Sequence, residues 1–289
     1  MGLQIKEIIS VAENVLRESG DSDYKTDAEM LLCHAIKYDP QKIFMNWAKE
    51  VDDDHAEAFF AMVQKRAEGT PTQYLTNEQV FKGLSFYVDE NVLIPRPETE
   101  LLVDEAVAYL KDNRAAKSVL DLGTGSGAIA VSLARKAQSL KITASDVSEK
   151  ALAVAERNAS RLGVKGQIKF VTSDVFDGFK TGFAGPKWDV VVSNPPYIKS
   201  PILSTLQREI YEHEPMTALD GGEDGLDVYR RLISAAPSFL RKTGAVFLEI
   251  GYDQAHEVTA LFRENGSYVR IAVTPDIAGH DRVISARMK

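Results

Sequence analysis

Apolar residues recur at helical spacing from the start of the chain: Ile5, Ile8, Ile9, Ala12, Val15 and Leu16 fall three or four residues apart, and Ala28, Leu31, Leu32, Ala35 and Ile36 repeat the pattern. That spacing places each set on one helix face, and a third helical stretch is predicted from about Asp54 to Arg66. No strand-like alternation precedes Val80, so residues 1–77 are expected to form a small helical bundle. Gly69, Thr70 and Pro71 interrupt the pattern. The β-rich runs Gln-Val-Phe and Leu-Ser-Phe-Tyr-Val between Gln79 and Ile94 then predict a β-hairpin linker over residues 78–97.

From there the pattern alternates between strand and helix. Strands are predicted at Ser118–Asp121, Lys141–Asp146, Ile168–Val171 and Trp188–Ser193, with helices at Ser126–Ala137 and Ser148–Leu162 between the first three. A helix at Gly225–Leu240, a strand at Ala245–Ile250, a helix at Asp253–Glu264 and final strands near Tyr268–Val273 and Arg282–Met288 follow. Such alternation implies an α/β domain over 98–289, a mostly parallel seven-stranded sheet covered by helices on both faces. Ligands of these sheets bind outside the carboxyl ends of the strands, at the point where strand order reverses.

Composition narrows the class. Of 289 residues, 44% are hydrophobic and 26% charged, enough to bury a sizeable core. The single cysteine, Cys33, excludes an internal disulfide, fits a reducing compartment and reads as a small apolar side chain. Lys6 and Glu7 interrupt the apolar residues that a secretion signal would need, and Lys6 occupies the position where a myristoylation signal needs Ser or Thr. No run approaches the roughly 20 apolar residues that span a bilayer. A cytoplasmic protein without a membrane partner is expected. The net charge of -8 is concentrated in residues 1–77, which hold 14 Asp and Glu against 8 Lys and Arg. Affinity for nucleic acid rests on neutralising phosphates, so direct nucleic-acid binding is not expected. The acidic surface is either a solvated face or a docking face for a basic protein.

Two motifs carry the chemistry. The strand Val-Leu-Asp-Leu runs into Gly123-Thr124-Gly125-Ser126-Gly127, where glycines permit a tight turn and a close ligand approach before a helix N-terminus. Alone, the loop suits a dinucleotide, a nucleoside or only a turn. Asp146 ends the next strand about 20 residues on, where a carboxylate can accept both hydroxyls of a ribose. A dinucleotide would want the wider Gly-x-Gly-x-x-Gly spacing. Asp121, just before the loop, suits a ligand carrying an ammonium group, such as the methionine end of S-adenosylmethionine.

The second motif is Asn194-Pro195-Pro196-Tyr197, which follows the strand Asp189–Ser193 at the same sheet edge. An amide nitrogen is a poor nucleophile because its lone pair is delocalised into the carbonyl. Two acceptors that each take one N–H of an NH₂ group can orient it and stabilise the charge that develops on attack. Asn194 offers its side-chain oxygen and Pro195 its backbone carbonyl, and each is confined to extended conformations by the proline after it. Tyr197 is expected to lay a flat face against the planar target. The bland alternative is a rigid turn after a strand. No general base or metal is required, and the five scattered histidines form no ligand cluster.

The glycine loop, Asp146 and Asn194-Pro195-Pro196-Tyr197, with the run Val92-Leu93-Ile94-Pro95-Arg96-Pro97-Glu98-Thr99-Glu100 and the segments Glu212-His213-Glu214-Pro215 and Ala218-Leu219-Asp220-Gly221-Gly222, closely resemble the HemK/PrmC family of release factor glutamine methyltransferases. The resemblance extends over nearly the whole chain. It implies a Rossmann-like S-adenosylmethionine-dependent methyltransferase fold and N5-methylation of the glutamine in the Gly-Gly-Gln motif of class-I peptide chain release factors, modulating translation termination. It also implies an N-terminal domain that helps hold that partner. By position, Gly123 to Gly127, Asp146, Val175 and Asn194 would contact the cofactor, and Asn194 to Tyr197 the glutamine. Val175 stands where some members have Trp, and Asn77 where glycine is common; Asn is the residue that best tolerates a left-handed backbone. The rival reading is methylation of an exocyclic amine of DNA or RNA, which poses the same chemical problem but needs phosphate-neutralising surface.

Overall fold

The acidic run Asp52-Asp53-Asp54 is a helix start. Asp52 accepts a hydrogen bond from the His55 backbone N–H at 3.1 Å, and Asp53 and Asp54 occupy the first turn, where negative charge meets the positive end of the helix dipole. The computed structural model describes residues 3–179 and 187–289.

The chain divides into two units, Met1–Glu78 with Gln207–His213, and Gln79–Leu206 with Glu214–Lys289. The first holds α1 (Ile5–Glu18), α2 (Tyr24–Ile36), α3 (Pro40–Met45), α4 (Asp53–Ala67), α5 (Thr72–Thr76) and the short helix Arg208–His213. Its core is the predicted apolar face: Ile5, Ile8 and Leu16 of α1 pack with Leu31 and Leu32 of α2 and with Phe59 and Val63 of α4. Half-buried Cys33 packs against this core, and burial pushes its thiol up to about 11. Asn77 caps α5 with φ of +52°, the left-handed conformation expected of it.

One cation organises the polar side of this unit. The Arg66 guanidinium lies 3.2 Å from Asp21, 2.6 Å from Asp27 and 2.6 Å from Glu209, with its side chain only 10% exposed. Glu209 belongs to the helix contributed from the far side of the chain, so this ion cluster fastens that excursion to the bundle.

The second unit opens with a hairpin, β1 (Gln79–Phe81) and β2 (Leu84–Phe86), turned by Lys82 and Gly83, both at positive φ as a two-residue turn requires. It continues with α6 (Thr99–Asp112), β3 (Ser118–Leu122), α7 (Ala128–Lys136), β4 (Lys141–Asp146), α8 (Glu149–Arg161), β5 (Ile168–Thr172) and β6 (Trp188–Ser193). After α9, the helix Arg208–His213 already described, come α10 (Asp227–Ala235), β7 (Leu240–Glu249), α11 (Ala255–Asn265), β8 (Tyr268–Pro275) and β9 (Asp281–Met288). The sheet order is β5-β4-β3-β6-β7-β9-β8, parallel through β7 and antiparallel beyond. Side chains alternate across it. Val119, Val190, Val192, Ala245 and Phe247 meet α6, α7 and α8, while Leu120, Val191, Val246 and Leu248 meet α10 and α11.

Element ends shift where local chemistry overrides periodicity. The helix expected at Gly225–Leu240 stops at Ala235 because a 3₁₀ turn, Ala236–Ser238, contains Pro237, which has no N–H to continue the ladder. β7 then begins at Leu240. The helix expected from Ser126 begins at Ala128, since Gly127 at φ +82° belongs to the turn. The run through Val88 pairs only to Phe86, because the Tyr87 N–H goes to Asn158 at 2.7 Å. Among the described residues, no helix is long and apolar enough to cross a membrane, and no group of three or more His, Cys, Asp or Glu could hold a metal.

Removing the cation of the Arg66 cluster leaves three carboxylates unpaired. Arg66→Met is expected to lower stability by about 3 kcal/mol or more, measured as a shift in the denaturant unfolding of the full chain.

Candidate active site

Parallel pairing brings the carboxyl ends of β5, β4, β3, β6 and β7 to one edge, and the order reverses between β4 and β6 on either side of β3. There the second unit forms a cleft with about 900 Å³ of empty space, partly open to solvent. Gly123 and Gly125, Asp146, Val175, Asn194, Pro195 and Pro196 all line it. Thr124 and Ser126 line a smaller adjoining cleft together with Arg96, Thr99 and Asn194. Gly127 lines neither; it starts α7 so close to α8 that a Cβ there would lie 3.1 Å from the Ala155 Cβ.

The loop is held from below and behind. Gly123, Gly125 and Gly127 all have positive φ, which explains three glycines in five residues. The Asp146 carboxylate accepts the Gly125 N–H and the Ser148 N–H, both at 2.9 Å, one on each oxygen. Two oxygens so engaged retain acceptor capacity, and the adjacent wall of Val147, Ala151, Val175 and Leu232 is apolar. This donor set fits an adenosyl group: hydroxyls on the carboxylate and a flat base against the wall. Val175 holds φ of +49°, a strained conformation for a β-branched residue of the kind that clusters at ligand sites. Its carbonyl accepts the Ser173 hydroxyl at 2.8 Å.

Asp121 is not at the cleft surface. It is fully buried, accepts the Thr124 hydroxyl at 2.6 Å and the Ala130 N–H at 3.1 Å on one oxygen, and leaves its other oxygen without a hydrogen-bond partner. It braces the loop and does not meet a ligand's ammonium group directly. Burial pushes its carboxyl up to about 7. Asn158, unremarked in the sequence, is the second brace. Fully buried on α8, it donates to the carbonyls of Ser126 and Tyr87 and accepts the Tyr87 N–H.

The tetrapeptide is similarly clamped. The Asn194 Nδ2 donates to the Thr99 hydroxyl at 3.1 Å, which leaves Oδ1 as the free acceptor of that amide. Tyr197 departs from expectation. It lines neither cleft; its ring packs against the core beneath the sheet edge, and its hydroxyl lies 3.5 Å from Glu249 Oε1. A buried phenol needs a partner for its O–H, and Glu249 is the one in reach. Gly221 presses its backbone on the same turn, so that a Cβ there would lie 2.7 Å from the Tyr197 Cα. Its N–H donates to the Ile198 carbonyl at 2.8 Å. Arg96 pairs with Glu214, and Glu100 accepts the Lys82 N–H at 2.7 Å, which gives two residues of the Pro-Arg-Pro-Glu-Thr-Glu run partners in this unit.

Residues 98–212 match the family described as Methyltransferase small domain, and residues 7–76 match the PrmC N-terminal domain. A release factor glutamine methyltransferase of Clostridium acetobutylicum is 37% identical over 284 residues, covering 98% of each chain. One of Bacillus cereus is 36% identical over 289 residues, covering 99% of this chain and all of the relative. Among solved structures, the T. thermophilus 16S rRNA N2 methyltransferase in complex with AdoMet and guanosine superposes with a TM-score of 0.51 at 19% identity, covering 73% of this chain and 50% of that one. At that identity the likeness is one of fold.

Two expectations follow. Gly221→Ala is expected to cost roughly 1–3 kcal/mol of stability by overpacking and to depress any cleft activity, checked by thermal unfolding and turnover together. For Asp121, a folded-state carboxyl near 7 against an ordinary value of 3.8 means that the folded protein keeps a proton the unfolded chain releases. Its contribution to stability is therefore present below about 4 and lost as pH rises through about 7. Relative to wild type, Asp121→Asn should gain stability across that window, on the order of 4 kcal/mol in full, read from urea unfolding at each pH.

Proposed function

This chain belongs to the release factor glutamine methyltransferase family, and from that premise we propose that its cleft methylates the N5 nitrogen of the Gly-Gly-Gln glutamine in class-I peptide chain release factors. The reaction is S-adenosylmethionine-dependent methylation of a release factor glutamine. The observation that carries the site assignment is the orientation of Asn194: with Nδ2 committed to Thr99, Oδ1 is the acceptor available beside the glycine loop and Asp146.

When bound, S-adenosylmethionine supplies an electrophilic methyl group. Asp146 and the loop from Gly123 to Ser126 would hold the adenosyl end, with Gly127 starting the helix behind them, and Val175 would give the adenine an apolar wall. Asn194 Oδ1 and the Pro195 carbonyl take the two N–H groups of the glutamine side chain, fixing its plane and stabilising the positive charge that develops on nitrogen. The Pro195 and Pro196 rings keep both acceptors in extended backbone, so little ordering is left to the moment of reaction. Tyr197 contributes by anchoring the turn through its hydroxyl. The acidic excess of residues 1–77 supports a role for the helical domain in holding a basic partner. The glutamine reading is preferred to a nucleic-acid amine because the match of residues 7–76 to the PrmC N-terminal domain and the full-length relatives point to it.

Mass spectrometry of a class-I release factor after incubation with this protein and S-adenosylmethionine should show one added methyl on the Gly-Gly-Gln glutamine. Asn194→Ala should lower turnover about a hundredfold or more while leaving cofactor Kd nearly unchanged. Asp146→Ala should do the reverse first, raising cofactor Kd about tenfold or more in a binding titration. Unmodified release factor beside an intact cofactor site would move the assignment to another amide or amine.

A further inference from the structure

Beneath the tetrapeptide lies a carboxylate that the proposed reaction does not use. Glu249 ends β7, the parallel neighbour of β6. Ser193 pairs with Leu248, so Glu249 lies level with Asn194. It is 1% exposed. One of its oxygens faces the Tyr197 hydroxyl at 3.5 Å, and the other has no hydrogen-bond partner. The Thr99 hydroxyl favours its charged form, as a donated hydrogen bond does. Arg282 on β9 favours it too but pairs with Asp276, while Glu98 at the start of α6 opposes it. Tyr229 on α10 donates to the Glu249 backbone carbonyl at 2.8 Å and leaves the carboxylate alone. Among the described residues, no cation lies within ion-pair distance. Burying a carboxylate on these terms is costly, and such groups concentrate at functional sites.

Thr99 bears on both groups: it takes the Asn194 Nδ2 contact and favours the charge of Glu249. A hydroxyl has one proton to give and lone pairs to accept with. If that proton is committed to Glu249, Thr99 can only accept from Asn194, and the 3.1 Å contact from Asn194 Nδ2 has that polarity. The chain of donors then runs one way: from the substrate amide to Asn194 Oδ1, from Asn194 Nδ2 to Thr99, and from Thr99 to Glu249.

Resting on the proposed function, we infer that Glu249 is a positioning residue that sets the polarity of the Asn194 amide through Thr99 and anchors Tyr197 directly. Neutralising Glu249 frees the Thr99 proton to turn toward Asn194 Oδ1, which removes the acceptor or brings NH₂ against the substrate NH₂. Burial holds the Glu249 carboxyl up to about 7, close enough to neutrality for this loss to occur on mild acidification.

The test compares wild type, Glu249→Gln, Thr99→Val and Thr99→Ser in two measurements. In release factor methylation, wild-type kcat should fall on the acid side of neutrality. Glu249→Gln and Thr99→Val should each lower kcat about tenfold or more and lose that acid limb, with cofactor Kd unchanged. Thr99→Ser should restore both, and the double variant Thr99→Val/Glu249→Gln should be no worse than the poorer single one. Wild-type kcat and pH profile in Glu249→Gln would overturn the inference. The second measurement needs no turnover: the side-chain NH₂ signal of Asn194 in ¹⁵N NMR should titrate near neutrality in wild type and not in Glu249→Gln. A wild-type protein that leaves the release factor unmodified refutes the proposed function, and the Asn194 signal then decides the relay by itself. Titration that disappears in Glu249→Gln upholds it; a pH-invariant signal overturns it.

Discussion

Parallel strand pairing is the constraint on which everything else rests. Strands running one way must end on one edge, and the reversal of order around β3 leaves an opening there that no side chain fills. The glycine loop, Asp146, Val175 and the tetrapeptide come from four separate strand ends, yet the cleft needs no other device to gather them. The helices contribute by covering both faces, and side chains bind backbone groups at this edge: Asp146 takes the Gly125 N–H, Asn158 the Ser126 carbonyl and Ser193 the Leu122 carbonyl.

That arrangement requires polar groups below an apolar sheet edge, and the structure supplies them as buried acceptors. Asp121 on β3 and Glu249 at the end of β7 are both almost fully buried, and both carry one oxygen with no partner. Each faces hydroxyls in place of cations: Thr124 for Asp121, Thr99 and Tyr197 for Glu249. A hydroxyl partner transmits direction, because its single proton goes one way at a time; an ammonium or guanidinium would neutralise the charge and transmit nothing. The site's acceptors are thus oriented from beneath while its surface stays free of charged side chains other than Asp146, Asp174 and Arg96.

Much of this was legible in the residues. The helical faces of α1 and α2, the strand and helix alternation and the two motifs are short-range patterns, and they fell where periodicity and turn chemistry put them. Asp146 and Asn194 could be singled out because one ends a strand and the other follows one at a predictable edge. What sequence could not convey depends on pairs far apart in the chain. Asn158 looks like any polar residue on an amphipathic helix until Tyr87 arrives 71 positions away. Thr99 stands only as one member of the Val92 to Glu100 run in the sequence, and only the fold sets it against Asn194. Tyr197 was expected at the target because aromatic faces suit planar groups, but burial of its ring against the second core cluster outweighed that preference. Gly221 belonged to a segment that carries the resemblance, but its reason, backbone pressed on the Tyr197 turn, appears only in the fold.

The route of the chain around α9 has a bearing on how such a protein can be taken apart or assembled. After the tetrapeptide the chain leaves the second unit at Leu206, gives Gln207–His213 to the first, and returns at Glu214. The two units are therefore joined by three covalent crossings and not by one linker. Simple end-to-end fusion of two modules would produce a single crossing, whereas the helical unit here is discontinuous and takes Gln207–His213 from beyond the tetrapeptide. A cut at residue 78 does not separate two intact modules. It strips Glu209 of its guanidinium partner and leaves Arg66 with two of its three carboxylates, which makes the domain boundary a property of the folded molecule and not of any one position in its sequence.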